Sequence, residues 1–159
     1  MSEKEREPAI EMEDETRLLE ELGEALQATW RDMPLDTKHE RVYRESLALK
    51  LHNFYTGCER MFTRISEELN GGLPKSHDWH VRLLRKMTLD IEGIRPAVLS
   101  KETASLLDEY RSFRHVVRNT YGFEIKMSRM KPLLDSFATA LAAVRKDLST
   151  FIAFLRKAG

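Results

Sequence analysis

The sequence predicts an all-α fold, an antiparallel bundle of four to five helices in a single domain over residues 1–159. Apolar residues recur at spacings of three and four along most of the chain, which is typical of helices packed against one another. Glycine and proline number only 7 and 5, which leaves room for few turns. No stretch has the alternating pattern of a strand. A chain of 159 residues can also bury a core without disulfides or a structural metal.

The first helix is predicted from about Ile10 to Trp30. Its apolar residues fall on one helical face and include Leu18, Leu19, Leu22, Ala25 and Leu26. Pro34 ends the helix because the residue before a proline disfavours helical backbone. Residues 1–10 are polar and acidic, so we expect a frayed N-terminus.

The second helix is predicted over residues 37–69, with Asp36 as its N-cap. Its end is indicated by Asn70, two following glycines and Pro74. The apolar stripe is wide enough for a central core helix and comprises Leu47, Leu51, Phe54, Tyr55, Cys58, Met61, Phe62, Ile65 and Leu69. The polar residues at its middle are interpreted as a solvent or groove edge, and these are His52, Asn53, Glu59 and Arg60.

A third, shorter helix is predicted over residues 77–91, with Ser76 as its N-cap. His77 and His80 are three residues apart, a spacing that would let both ligate one metal ion. No residue nearby in the sequence supplies a third ligand, so we expect no metal site.

The fourth helix opens at Ser100, where Ser100 and Thr103 begin a capping pattern, and Gly122 interrupts it. A fifth helix follows over residues 128–156. Its apolar residues alternate spacings of three and four and comprise Leu134, Phe137, Leu141, Val144, Leu148, Phe151 and Leu155. Such a seam needs a partner helix along nearly its whole length.

The formal net charge of zero conceals an asymmetry. Residues 1–24 hold ten acidic and three basic residues, a net charge of −7, so the remainder carries +7. A body this basic can attract nucleic acid or an acidic protein, and the acidic N-terminus could fold over it or keep the chain soluble. The single cysteine, Cys58, cannot form an internal disulfide, and there is neither a signal peptide nor an apolar run of about 18 residues. We therefore expect a soluble cytoplasmic protein without membrane association.

The most informative stretch lies in the fourth helix, from Tyr110 to Phe123. Helical spacing places Phe113, Val116 and Val117 on an apolar side. The polar side is cationic and comprises Arg111, Arg114, His115, Arg118 and Asn119. Histidine can move protons near neutral pH, and arginine offers a permanent fork of donors to a phosphate. This combination suits a phosphodiester substrate, although a salt-bridged surface would have the same composition.

Several common chemistries have no motif in this sequence. There is no glycine-rich phosphate loop, paired-cysteine zinc pattern, G-x-S-x-G elbow or H-E-x-x-H sequence. The remaining chemistries need no metal or cofactor. One is RNA cleavage by the substrate's own 2′-OH, for which the protein only moves protons and stabilises charge at phosphorus. His115 is then the candidate acid or base, and Arg111, Arg114 and Arg118 are the candidate phosphate ligands.

The residues from Phe113 to Tyr121, F-R-H-V-V-R-N-T-Y, together with the all-helical layout, resemble the HepT-like ribonuclease toxins of the HEPN superfamily. That family's motif is an arginine, often followed by a polar residue, and then His-x-Tyr four to six residues later. Arg114 matches the arginine and Tyr121 the tyrosine. Asn119 stands where the family has its catalytic histidine, and His115 stands in the polar position. Asparagine cannot act as a base near neutral pH, so either His115 has taken over the role from one turn away or the nuclease has been lost.

The resemblance implies a HEPN-like homodimer that cleaves RNA without a metal or other cofactor. The motif positions and the cationic pattern of the helix together place Arg114, His115, Arg118 and Asn119 in the catalytic group, and the pattern places Arg111 in substrate binding. The resemblance also implies a type VII toxin-antitoxin pair, in which a minimal nucleotidyltransferase antitoxin (MntA-like) transfers AMP to the motif tyrosine, here Tyr121. A phosphate there would compete with RNA for the same arginines.

Three hypotheses follow from the sequence. The favoured one is a metal-independent endoribonuclease toxin, because the density of arginine around His115 exceeds what a scaffold requires. The second is a non-catalytic HEPN-type module that binds a nucleotide or a nucleotidyltransferase partner. The third is a helical adaptor whose cationic face is covered by the acidic N-terminus.

Overall fold

The computed structural model describes residues 3–69 and 71–158 and is an all-α bundle over those ranges. Its helices are α1 (Glu3–Asp32), α2 (Thr37–Leu69), α3 (Trp79–Lys86), α4 (Lys101–Asn119) and α5 (Met127–Lys157), with a 3₁₀ turn, Gly122–Glu124, between the last two. In the described part of the chain, extended pairing is limited to one isolated bridge between Ile91 and Arg95. The predicted fold class of four long helices and one short helix is confirmed.

Helix α2 is the centre of the bundle, as its wide apolar stripe predicts. It packs against every other helix and against the 3₁₀ turn, whereas α1 packs mainly on α2 and α5. Short α3 lies against α2 and α4. None of the described helices is both long and apolar enough to cross a membrane.

Three aromatic rings join α2, α4 and α5 in the core. Phe54 meets Tyr110 edge-on at 5.4 Å between ring centroids and meets Phe137 at 4.9 Å. The Tyr110 hydroxyl donates a 2.8 Å hydrogen bond to the Leu133 carbonyl, which satisfies its polar atom inside the core. Burial raises the pKa of Tyr110 to about 12, against a smaller lowering effect of the Ser136 hydroxyl. Helix α4 is therefore anchored by the residue that begins the cationic stretch.

Helix α1 begins earlier than the apolar periodicity predicts. The chain is helical from Glu3, and Ala9 and Met12 are buried in the common core. Apolar contacts at these two positions extend the helix towards the N-terminus, since most helical stability in proteins comes from packing. The frayed N-terminus was predicted for residues 1–10, of which the first two lie outside the described residues.

Two glycines mark where α1 approaches its neighbours most closely. A methyl group added at Gly23 would lie 2.6 Å from Leu141 Cδ2 on α5, and one added at Gly57 would lie 2.7 Å from Leu19 Cδ2 on α1. Both distances are well below a normal carbon–carbon contact. Helix α1 is thus packed as a full member of the bundle.

Two predicted helix caps are confirmed. The Asp36 carboxylate accepts hydrogen bonds from the backbone N–H groups of Lys38 and His39 at 3.0 and 2.9 Å, at the start of α2. The Ser100 hydroxyl accepts one from the Thr103 N–H at the start of α4, at 3.1 Å. Each side chain replaces a hydrogen bond that a first-turn amide cannot make within its own helix.

The prediction for the third helix was wrong at both ends. Helix α3 begins at Trp79, with Asp78 rather than Ser76 as its N-cap residue, and ends at Lys86. The cause of the early end is Arg95, whose guanidinium donates to the carbonyls of Lys86, Leu89 and Pro96 at 2.9–3.0 Å. Only 2% of Arg95 is exposed. These bonds hold the chain in a turn after α3 and use carbonyls that a longer helix would have needed.

The acidic residues of α1 form ion pairs with arginines of α2 and α5. In the described part of the chain, the pairs between α1 and these two helices are Glu11–Arg64, Glu15–Arg60, Glu20–Arg145 and Glu13–Arg156. Among the described residues, no ion pair joins α1 to the cationic stretch of α4. The cover that the adaptor hypothesis requires is therefore not seen on α4.

Candidate functional site

The cationic residues of α4 line one open cleft. Residues at 104, 107, 110 and 113 of this helix are buried, so the positions at 111, 114, 115, 118 and 119 share another face. That face looks across to the start of α3 and encloses a cleft of about 480 Å³. This α3–α4 cleft is lined by His77, Asp78, His80, Val81, Arg111, Arg114, His115, Arg118 and Asn119. Five of the six predicted site residues are therefore together, and Tyr121 is not among the lining residues.

A carboxylate that the sequence prediction had placed at a solvent or groove edge lies buried beside the cleft. The Glu59 side chain, from the middle of α2, is only 8% exposed. One of its oxygens lies 2.7 Å from His80 Nδ1, and the other lies 3.8 Å from Arg114 Nη2. Glu59 thus connects a histidine on one wall of the cleft to an arginine on the opposite wall. Of the two predicted locations, the solvent edge was wrong, because α3 and α4 both pack on α2 and Glu59 is buried. Glu59 does line a groove between α1 and α2.

The contact with Glu59 fixes the tautomer of His80. An ionised carboxylate can only accept hydrogen bonds, so Nδ1 of His80 carries the proton and Nε2 keeps the lone pair in the neutral ring. The ring also stacks on Trp79, with 3.6 Å between centroids and 31° between planes. Two contacts therefore orient an imidazole that lines the cleft.

The three arginines of the cleft differ in how far their charge is matched. Arg111 pairs with Asp108 at 2.7 Å on the same helix. Arg114 is 15% exposed and reaches Glu59, while its buried Nε atom has no hydrogen-bond partner in the described part of the chain. Arg118 is exposed and has no carboxylate partner among the described residues. Positive charge is thus least compensated at the C-terminal end of the cleft.

His52 of α2 responds to this positive charge. Burial, followed by the nearby charges of Arg114 and Arg118, lowers the pKa of His52, and Glu59 opposes the effect. The buried Nδ1 atom has no hydrogen-bond partner among the described residues. The lowered pKa therefore favours the neutral form of His52 beside the arginines.

His115 and Asn119 lie side by side on the exposed rim. The Asn119 amide donates a 2.7 Å hydrogen bond to the His115 carbonyl and lies 3.4 and 3.5 Å from the two ring nitrogens. Nearly equal distances to both nitrogens mean that the amide is aligned with neither lone pair. The imidazole is thus accessible for proton transfer, whereas the Asn119 side chain is engaged with the helix backbone.

Tyr121 lies just beyond the C-terminus of α4, before the 3₁₀ turn. It is 72% exposed, and its backbone carbonyl accepts a 2.8 Å hydrogen bond from the Glu124 N–H. Tyr121 does not line the α3–α4 cleft, and its role as an AMP acceptor beside the arginines stays a prediction. The residue is nevertheless largely exposed and lies two positions after Asn119.

Sequence reasoning missed Glu59 and His80 as a pair. Glu59 follows Tyr55 by four residues and precedes Phe62 by three, so it falls within the apolar stripe of α2. A carboxylate in such a stripe is a signal of a buried ionic partner. His80 was considered only as a metal ligand with His77, and in the described chain no group of three or more histidine, cysteine, aspartate or glutamate side chains could hold a metal.

The cleft can bind an anion and exchange protons with it. Three guanidinium groups surround the space, one imidazole lies exposed on the rim and a second is held by a carboxylate. Arginine forks match the geometry of phosphate oxygens, and imidazoles transfer protons near neutral pH. This set of groups suits a phosphodiester or a nucleotide phosphate.

Comparison with known proteins identifies the family. A family model described as HepT-like protein matches residues 46–155, which contain most of α2 and α5 and all of α3 and α4. No curated protein and no solved structure matches the chain. The match covers more than half of the sequence and includes every residue that lines the α3–α4 cleft. The chain therefore belongs to the HepT-like protein family.

Proposed function

We propose that this protein is the toxin of a HEPN/nucleotidyltransferase toxin-antitoxin pair and cleaves RNA in the α3–α4 cleft without a metal ion. Membership of the HepT-like family supports a HEPN-type toxin module. The observation that carries the proposal is the gathering of His115 with three arginines in one open cleft. The exposed, uncompensated Arg118 is the strongest single attraction for a phosphate there.

The chemistry requires no group that the cleft lacks. The 2′-oxygen of the RNA attacks the adjacent phosphorus, a new O–P bond forms, and the bond from phosphorus to the 5′-oxygen breaks. The proton of the 2′-OH leaves to a base, and the departing 5′-oxygen receives a proton from an acid. His115 serves as one of these groups, while Arg114 and Arg118 stabilise the charge that develops on the phosphoryl oxygens. Arg111 binds a neighbouring phosphate of the substrate, and Asn119 fixes the end of the helix beneath His115.

A non-catalytic role is the second candidate and is favoured by one observation. Asn119 occupies the position of the family's histidine, and its amide bonds to the backbone carbonyl of His115 rather than pointing freely into the cleft. In this alternative the cleft binds a nucleotide or the nucleotidyltransferase partner through the same arginines. It predicts tight association and no cleavage.

The deciding experiment is a cleavage assay on a mixed RNA substrate with EDTA present. It compares the wild type with His115→Ala and Arg118→Ala, and uses His39→Ala as the control. His39 lies at the start of α2 and pairs with Asp36 outside the cleft. We expect cleavage by the wild type and by His39→Ala, and a loss of about 10²–10⁴-fold on removing His115, which is the typical contribution of one acid or base.

Two results would contradict the proposal. Cleavage by His115→Ala at the rate of the wild type would remove His115 from the reaction. A wild type that is inert, although unmodified at Tyr121 and free of antitoxin, would favour the binding module.

The partners belong to the same proposal. A minimal nucleotidyltransferase antitoxin transfers AMP to Tyr121, for which the supporting observation is the 72% exposure of that side chain. The toxin acts as a homodimer in this scheme. Mass spectrometry after incubation with ATP and such a transferase is expected to detect one added AMP in the wild type and none in Tyr121→Phe. Addition of AMP to the Tyr121→Phe variant as well as to the wild type would exclude Tyr121 as the acceptor.

A further inference from the structure

Cleavage of a phosphodiester by the 2′-OH requires two proton transfers on opposite sides of phosphorus, and the HepT-like motif region of this chain supplies a single histidine, His115. A second group that exchanges protons near neutral pH must therefore come from elsewhere in the cleft. The cleft lining contains two further histidines, His77 and His80, both from the α3 wall. The two are distinguished by their contacts.

His80 is held by its neighbours and His77 is not held in the same way. His80 is bound at Nδ1 by the Glu59 carboxylate at 2.7 Å and is stacked on Trp79. A histidine whose one nitrogen donates to a buried carboxylate has a defined tautomer and orientation, which is how positioned acids and bases are built in proteins. His77 is exposed, and no ion pair of the described residues includes it.

We infer that His80 is the second proton-transfer residue of the cleft and that buried Glu59 is its positioning residue. This inference rests on the proposed nuclease function. With Nδ1 protonated towards Glu59, the Nε2 lone pair of His80 accepts the proton of the 2′-OH as that oxygen bonds to phosphorus. His115, on the opposite wall, gives its proton to the departing 5′-oxygen. The products are a 2′,3′-cyclic phosphate and a 5′-OH, and exchange with water restores both histidines.

Glu59 serves both halves of the site. Its second carboxylate oxygen faces Arg114 Nη2 at 3.8 Å, so one buried side chain orients the base and the phosphate-binding guanidinium together. A carboxylate retained at 8% exposure needs such compensation from its partners. The cleft therefore combines a histidine–carboxylate pair from α2 and α3 with the arginine motif of α4.

The pH dependence of the reaction reports on this pair. The titratable and charged groups that face the His80 side of the cleft come from three parts of the chain. They are Glu59 and His52 on α2, His77 and Asp78 before α3, and Arg111, Arg114, His115 and Arg118 on α4. Among these, Glu59 is the group in direct contact with the His80 ring, at 2.7 Å.

The test is single-turnover RNA cleavage from pH 5 to 9 by the wild type, His80→Gln and Glu59→Gln. The control is His39→Ala, because His39 and Asp36 form an exposed histidine–carboxylate pair, at 3.3 Å, away from the cleft. We expect His80→Gln to lower the rate by about 10²–10⁴-fold and to lose the acid limb of the pH profile. We expect Glu59→Gln to retain part of the rate and to move the acid limb to lower pH, because an amide no longer stabilises the protonated imidazole.

Folding and binding controls keep the test decisive. Thermal melting identifies variants that fail to fold, and Glu59→Asp, which keeps the carboxylate, is expected to restore the position of the acid limb. RNA affinity is expected to be unchanged in His80→Gln, since the base acts in the chemical step. A purely structural role for the pair would lower rates without moving the pH profile.

The outcomes separate this inference from the function on which it rests. Wild-type cleavage with an unaltered rate and profile in His80→Gln would overturn the role of His80 and leave the nuclease intact. A reduced rate in Glu59→Gln with an unmoved acid limb would overturn the positioning role of Glu59. Absence of cleavage by the wild type would overturn the proposed function and this inference with it.

Discussion

Arginines form ion pairs at the surface that faces α1, whereas arginines of the α3–α4 cleft are less fully paired. Towards α1, four arginines of α2 and α5 each meet a glutamate, as in the pairs Glu15–Arg60 and Glu13–Arg156. In the cleft, Arg118 meets no carboxylate among the described residues, and Arg114 shares the single Glu59 with His80. The same residue type is thus neutralised at one surface and left available at the other.

This comparison explains what becomes of the charge asymmetry in the sequence. The acidic first segment and the basic remainder do not form two opposed surfaces, because α1 is inserted between α2 and α5 and matches their arginines. In the cleft, which α1 does not reach, Arg111 and Arg114 have carboxylate partners and Arg118 has none among the described residues. An exposed arginine beside two others attracts anionic ligands.

The largest effect is expected from removing an apolar contact of α1. Leu26 is fully buried, whereas Leu18 on the same helix is 47% exposed. We expect Leu26→Ala to lower the free energy of unfolding by about 2–5 kcal/mol and Leu18→Ala to lower it far less. Urea denaturation of both variants measures this. Equal, small losses would mean that α1, all of which lies outside the family match, contributes ion pairs to the surface and is not part of the core.

A smaller difference in the free energy of unfolding is expected between alanine substitutions at two glutamates, Glu59 and Glu13. Glu59→Ala leaves Arg114 and His80 without their shared carboxylate in a largely buried position, and we expect it to destabilise the fold by about 3 kcal/mol, as for other broken buried ion pairs. Glu13→Ala breaks a pair whose side chains are 45–48% exposed, and we expect less than about 1 kcal/mol. Urea denaturation at pH 7 compares the two. A loss at Glu13 as large as at Glu59 would erase the distinction between the two regions.

The smallest expected effect is that of His52 on the pH dependence of the free energy of unfolding. Its pKa in the folded state is below the usual value of 6.5, so the unfolded chain binds more protons as the pH falls below that value. Stability from this group is therefore complete above about pH 6.5 and is lost as the pH falls towards the folded pKa. We expect His52→Gln to weaken the decline in unfolding free energy between pH 7.5 and 5.5. An unchanged decline would show that burial and the charges of Arg114 and Arg118 do not lower the pKa of His52 in the folded state.

Much of the fold follows from local pattern. The wide stripe of α2, the caps at Asp36 and Ser100, and the seam of α5 each depend on residues within a few positions of one another, so sequence spacing predicts them. The length of α3 could not be predicted in this way. It is set by Arg95, which reaches back to carbonyls up to nine residues earlier.

In the site, too, contacts between residues close in sequence were predictable and contacts between distant residues were not. The residues on α4 from Arg111 to Asn119 share a face because of helical geometry, and that grouping was predictable. The partnership of Glu59 with His80 was not, because it joins residues 21 positions apart on different helices. Contacts of this kind depend on how helices cross, which periodicity does not encode.

We expect the cleft to present positive charge to a nucleic acid and the surface facing α1 not to do so. The most direct measurement is RNA affinity as a function of salt for the wild type, Arg118→Ala and Arg156→Ala. We expect Arg118→Ala to weaken binding and to reduce the slope of log affinity against log salt by about 1, and Arg156→Ala to leave both unchanged. Equal losses for the two variants, or no salt dependence in the wild type, would show that the cleft does not attract RNA more than the surface facing α1 does.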